Sequence, residues 1–224
     1  MPLVSISTAQ RAPLAWAHWL GTVYHGLPRT LHPQGTGSGG YLAFLGRISP
    51  EKGPDRAIEI AQRSGLPLQI AAKVDPPDRA YFERDIAPLL NNPLIEFVGE
   101  IGGADKRAFL GDAAALLFPI DWPEPFGLVL IEALATGTPV IAFGEGSVPE
   151  IIDDGLTGFV VADIDEAVAA IDEARQLDRE AIRRQFERRF SVERMTRDYL
   201  AIYREIAQGC LREAEPDDET EAAD

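Results

Sequence analysis

A single cysteine, Cys210, and three histidines are all that this chain of 224 residues offers toward soft-metal ligation. A lone thiol excludes an internal disulfide, and with no cluster of Cys or His a thiolate zinc site has no ligands, so a reducing cytosol is the expected compartment. Positive charge is also scarce: 21 Lys and Arg face 36 Asp and Glu, giving a formal net charge of −15 and an isoelectric point near 4.6. Such a chain repels phosphate backbones and anionic headgroups, which disfavours nucleic acid and membrane surfaces as partners. Long apolar runs are missing too. The longest charge-free stretch near the N-terminus, Ala12 to Pro28, is broken by Pro, Gly and two His, and it fits neither a signal peptide nor a spanning helix.

What remains is enough for a sizeable core, since 46% of the residues are hydrophobic. The acids are unevenly placed: Glu213, Glu215, Asp217, Asp218, Glu219, Glu221 and Asp224 crowd the end with no cation among them. Residues 209–224 are therefore expected to be a solvated, disordered tail.

From Tyr41 onward, short apolar runs (YLAFL, LQIAAKV, LIEFV, AALLFP, PVIAF) alternate with helical patterns. Runs of this length between amphipathic helices are what a parallel sheet covered on both faces requires, so the fold class is α/β, a doubly wound parallel sheet. Pro54 suits a first helical turn and Gly65 the end of the same helix. Ser147-Val148-Pro149-Glu150 reads as a capping box, with Glu150 structural. The segment LPRTLHPQGTGSGG, rich in Gly and Pro with few apolar anchors, reads as a mobile linker. Residues 1–27, with one strand-like piece, LVSIS, are too few for a domain. Two helices are expected at the C-terminal end, Arg179 to Phe190 and Val192 to Ala207, the second with Met195, Tyr199, Ile202, Tyr203 and Ile206 on one face.

In an open α/β sheet, ligands bind beyond the carboxyl ends of the strands. The loop after YLAFL, Gly46 to Gly53, joins two glycines to the cations Arg47 and Lys52 and leads into a helix, an arrangement that suits a phosphate and equally describes a solvated turn. The loop after AALLFP brings Glu124 just ahead of a helix and Glu132 within it. Unpaired amides at Gly127 and Leu128 would receive phosphates, and Glu132, roughly 7.5 Å further along the axis, would meet ribose hydroxyls. Glu124 can accept from the hydroxyls of a sugar, or simply complement the helix dipole. Glu132 shares its face with Leu128, Ile131 and Ala135, where a carboxylate needs a partner. Lys73 can reach phosphate or pair with Asp75, and Gly99 to Gly103, with Ile101 among them, offers amides and a flat apolar surface to a nucleobase. His18, His25 and His32 show no metal spacing and are read as structural or solvated.

These residues in this order, GRISPEKG, AAKVD, FVGEIGGADK, LLFPIDWPEPFGLVLIEALATGTPVIAFGEGSVPEIIDDGLTGFVV and FSVERMTRDYLAIY, resemble the C-terminal, donor-binding half of a retaining nucleotide-sugar glycosyltransferase of the family 4 group, with GT-B architecture. The resemblance implies that Arg47 and Lys52 hold the diphosphate of a UDP- or GDP-sugar, that Glu132 binds the ribose, and that Glu124 binds the transferred hexose. Backbone around Phe126, Gly127 and Leu128 would face sugar and phosphate, and Gly99 and Ile101 the base, with Gly46 and Lys73 beside the donor. No cofactor or metal is implied. Residues 1–30 resemble the last remnant of an acceptor domain and its exit linker, 31–40 a flexible linker, and 41–208 a complete donor domain. The resemblance therefore implies a truncated chain or one subunit of a split enzyme, with an unknown acceptor and a separate acceptor-domain chain or a homo-oligomer as partner. A non-catalytic nucleotide-sugar-binding module is the alternative. A glycoside hydrolase using Glu124 and Glu132 fits poorly, because a helix N-terminus keeps carboxylates ionised and opposes the raised pKa of a general acid.

Overall fold

The structure, a computed structural model, describes residues 2–214. It opens with two strands, β1 (Leu3–Ser5) and β2 (Trp19–Thr22), which pair in parallel around a 3-10 turn at Ala9–Leu14. The main body follows as β3 (Leu42–Arg47), α1 (Pro54–Ser64), β4 (Leu68–Lys73) and α2 (Arg79–Tyr81), the last extended by a π turn, Phe82–Ile86, and a 3-10 turn, Ala87–Asn91. Then come β5 (Ile95–Gly99), α3 (Gly103–Asp112), β6 (Ala115–Phe118), α4 (Leu128–Ala135), β7 (Val140–Phe143), α5 (Val148–Ile151) and β8 (Gly158–Val161). Three helices close the chain: α6 (Ile164–Ala174), α7 (Arg179–Arg189) and α8 (Val192–Ala214).

Six strands form one parallel sheet in the order β5-β4-β3-β6-β7-β8. The expected doubly wound α/β fold is thus present. Alternation along each strand explains why both faces are dry. In β3, Leu42 and Phe44 join Ile58 and Ile60 of α1 and Ile171 of α6 in one core layer. Tyr41 and Ala43 point the other way, into a layer with Leu110 of α3, Leu134 of α4, Ile151 of α5 and Phe186 of α7. The runs and helices expected from sequence correspond to these elements; β2, β8 and α6 are additions that the sequence pattern does not predict.

Three expectations change. The stretch read as a mobile linker is strapped to the body: Gly35, Gly37 and Gly39 donate their amides to the carbonyls of Thr136, Gly111 and Asp112, each at 2.9 Å. A Cβ on Gly35 would sit 2.1 Å from the Gly111 carbonyl oxygen, so glycine is there for close approach. Arginines of α7 tie the same region down, Arg179 reaching the carbonyls of Gly111 and Ala113 and Arg183 those of Arg29 and His32.

The capping box does not form. Ser147 has a helical backbone (φ −84°, ψ −4°), and its buried hydroxyl has no partner among the described residues. Glu150 instead accepts from the amides of Thr8 and Ala9, both at 2.7 Å, and from the Tyr24 hydroxyl at 3.1 Å. It thereby caps the 3-10 turn of the N-terminal segment from across the molecule. Burial first, and then this carboxylate, raise the Tyr24 pKa.

Finally, α8 continues to Ala214, so 209–214, read as tail, is helical; 215–224 lies outside the described residues. Near its start α8 is stitched to the N-terminal segment through Leu27, whose carbonyl accepts from the Val192 amide at 3.0 Å, and Ile202 packs against Gly21. Further along, Tyr203 and Ile206 are exposed, so only part of the expected apolar stripe is covered.

Candidate functional site

Strand order fixes where a ligand can bind. The chain leaves β3 toward β4 on one side and leaves β6 toward β7 on the other, so the loops after β3 and β6 part and open a crevice between them. Both loops single out that place in the sequence, and the structure joins them. The Asp121 amide donates to the Glu51 carbonyl at 2.9 Å, and Arg56 Nε to the Pro119 carbonyl at 2.7 Å. Gly53 (φ +67°) lies so close that a Cβ would be 2.2 Å from the Pro119 oxygen.

At one end of the crevice, Lys52 Nζ pairs with Glu124 Oε2, and the Trp122 indole donates to the same oxygen at 3.0 Å. The ammonium also stands 5.1 Å from the Trp122 ring centroid and 5.9 Å from that of Phe118, within range for cation–π attraction. Glu124 has a fixed backbone as well: its carbonyl accepts from the Ser147 amide at 2.9 Å, and Gly146 (φ +57°) lies where a Cβ would be 2.4 Å from the Glu124 nitrogen and oxygen. The carboxylate is held ready rather than free to rotate.

Gly127, left-handed at φ +73°, turns the chain into α4, whose first residues Leu128 and Val129 form the floor of the crevice together with Leu45 and Gly46. Two adjoining lobes share this floor. The smaller, about 190 Å³, takes in Lys52, Phe118, Glu124 and Gly127. The larger, about 360 Å³, takes in Lys73, Glu100, Ile101, Lys106 and Glu132. There Lys106 Nζ meets Glu132 Oε1 at 2.5 Å, with side chains 28% and 14% exposed. Each carboxylate thus has an ammonium partner, and in an acidic chain this keeps the cleft from repelling an anion.

Of the sequence-predicted residues, Gly46, Lys52, Lys73, Ile101, Glu124, Gly127, Leu128 and Glu132 come together in these lobes. Lys73 also pairs with Asp75 at 2.8 Å, which raises its pKa, so the alternative reading of that residue holds in this state. Arg47 lies outside the lobes and pairs with Glu51 at 2.7 Å, half-exposed. Gly99, at φ +79°, ends β5 without lining either lobe. The Phe126 side chain is a core residue, 2% exposed, against Tyr24, His25 and Phe190, so only its backbone faces the loop. His32 is buried with neither ring nitrogen partnered among the described residues, and burial lowers its pKa.

Lys106 is the residue that sequence reasoning missed. The signal that would have found it is the requirement that a carboxylate on the apolar face of α4 have a partner. Among the described residues no helix is long and apolar enough to cross a membrane.

Comparison with known proteins identifies the family and the fold. The family model for glycosyl transferases group 1 matches residues 36–189. The chain is 33% identical over 145 residues to a D-inositol 3-phosphate glycosyltransferase of Mycobacterium marinum, which covers 58% of this chain and 29% of that protein. Among solved structures it resembles AviGT4, a glycosyltransferase involved in avilamycin A biosynthesis (TM-score 0.76, 26% identity, 92% of this chain and 63% of that one). It also resembles the sucrose-phosphate synthase of Thermosynechococcus elongatus (TM-score 0.79, 21% identity, 93% of this chain and 59% of that one). The chain spans less than two thirds of the length of each.

Proposed function

The chain belongs to the glycosyl transferases group 1 family, and on that premise we propose that residues 41–208 form the half of a glycosyltransferase that binds a nucleoside-diphosphate sugar and supports transfer of its hexose with retention of configuration. One observation carries this reading: Glu124 and Glu132 stand on either side of the start of α4, each in its own lobe and each paired with a lysine. A donor with its diphosphate over Gly46 and the α4 amides would put the hexose toward Glu124 and the ribose toward Glu132. As the bond from the anomeric carbon to the diphosphate breaks, charge grows on the departing phosphate oxygens. Lys52, the amides at the start of α4, and Arg47 after exchanging Glu51 for phosphate would stabilise that charge, and no divalent metal is needed. The lone Cys210 supports a reducing cytosolic setting, and the resemblance an acceptor bound by another domain.

A second reading is a binding module that acts only with a separate acceptor-domain chain. It is favoured by the β1–β2 pair, whose outer edges are unpaired among the described residues. Parallel strands are ordinarily found inside larger covered sheets.

Calorimetry with UDP, GDP and ADP tests both. One of them should bind, and Glu132→Ala should weaken it by tenfold or more; no binding by any nucleotide would overturn both readings. Transfer by the chain alone, with the product anomer read by NMR, should occur only under the first.

A further inference from the structure

We infer that Lys106 is the positioning residue for Glu132, setting that carboxylate toward the two ribose hydroxyls of a nucleoside diphosphate. The inference rests on the donor-binding reading and names the device that makes the ribose end of that site work. Glu132 lies in the middle of α4, and its side chain is only 14% exposed. A carboxylate so far withdrawn from water is costly unless a cation and hydrogen bonds compensate it. Among the described residues, Lys106 is the basic side chain within ion-pair distance of it.

The pair has a direction. Lys106, from the first turns of α3, binds Oε1 at 2.5 Å, whereas Oε2 has no hydrogen bond among the described residues. One oxygen is anchored and the other is left as an acceptor, on a residue that lines the same lobe as Ile101. A carboxylate fixed in this way needs no reorientation to accept from a ligand hydroxyl, and that preorganisation is where affinity is gained. The other lobe repeats the design, since Lys52 and the Trp122 indole anchor Glu124 through Oε2. Two lysines, one from the loop after β3 and one from α3, therefore hold the two acidic residues of one short segment.

Lys106 could instead act directly on phosphate charge, and the two roles differ in their dependence on the ribose. The test uses the full chain and calorimetry with whichever of UDP, GDP or ADP binds, together with its 2′-deoxy and 3′-deoxy analogues. Lys106→Met should weaken the ribonucleotide about tenfold and the deoxy analogues less than threefold. In a Glu132→Gln background, Lys106→Met should add nothing. With Glu132 intact, Lys106→Arg should retain more of the affinity than Lys106→Met. Lys106→Gln provides a second neutral variant if the methionine disturbs folding, which thermal unfolding would reveal. Equal losses for ribo- and deoxyribonucleotides, or no loss at all, would overturn the inference while leaving the donor-binding reading intact. Absence of nucleotide binding by the unaltered chain would instead sink that reading first.

Discussion

Glu150 separates a local from a long-range account of the same residue. If it belonged to a capping box with Ser147, replacing either by alanine would cost about 1 kcal/mol of stability. In the structure the two residues do unrelated things. The Ser147 hydroxyl is buried without a partner among the described residues, so Ser147→Ala should change stability by no more than about 0.5 kcal/mol. Glu150 accepts two amide hydrogen bonds at 2.7 Å and one from Tyr24 at 3.1 Å. Bonds to a charged acceptor contribute roughly 1.5–3 kcal/mol each when buried, and the Thr8 end lies in water, so Glu150→Ala should cost about 2–3 kcal/mol. That cost falls on the docking of the N-terminal segment rather than on the central sheet, because the donors are Thr8, Ala9 and Tyr24. Hydrogen exchange read by mass spectrometry should therefore show the segment from β1 to Tyr24 exchanging about 30- to 150-fold faster, with β3 and β6 unchanged. The Tyr24 phenol should also titrate at lower pH in the variant, since the carboxylate that helps raise it has gone. Unchanged exchange in Glu150→Ala, or equal destabilisation by Ser147→Ala, would refute this account and restore the local one.

Two further outcomes follow from the strap and from a buried ring. Gly35→Ala would force a Cβ within 2.1 Å of the Gly111 carbonyl oxygen and break the neighbouring amide bonds, a loss of about 2–3 kcal/mol by urea unfolding; a mobile linker would lose less than about 0.5 kcal/mol. His32 has its pKa lowered by burial, so the unfolded chain takes up the proton first as pH falls. Its contribution is full above the unfolded value, about 6.5, and is lost as pH falls from there through the folded value. Stability compared at pH 7.5 and 5 should drop more steeply in the native chain than in His32→Phe, and parallel curves would show that the ring does not titrate on unfolding.

The sheet was legible because its evidence is repeated: five apolar runs with helical patterns between them can hardly be satisfied by anything but a parallel sheet covered on both faces. The pairing of the Gly46–Gly53 loop with the Glu124 loop was legible for a different reason. Carboxylates beside a diphosphate require cations, and the sequence offers Arg47 and Lys52 in one loop. Of these, Lys52 reaches Glu124, whereas Arg47 turns to Glu51.

What could not be read is whatever a distant partner decides. Glu150 fits a local i, i+3 pattern, yet its partners lie 142, 141 and 126 positions away. Glycine and proline between Leu27 and Gly40 fit a mobile linker and a tightly docked strap equally well; the deciding atom is the Gly111 oxygen, which no composition count over the segment contains. Lys106 falls between these cases. Its identity was hidden in a helix 26 positions from Glu132, but the need for it was visible in the sequence, because an acid on the apolar face of a helix cannot stand alone. In a chain of net charge −15 the same reasoning reaches further: every carboxylate that lines the crevice must be matched there by a local cation if a diphosphate is to enter. The larger lobe meets that condition at Glu132 through Lys106, and the smaller one at Glu124 through Lys52, while Lys73, already paired with Asp75, lines the larger lobe together with Glu100.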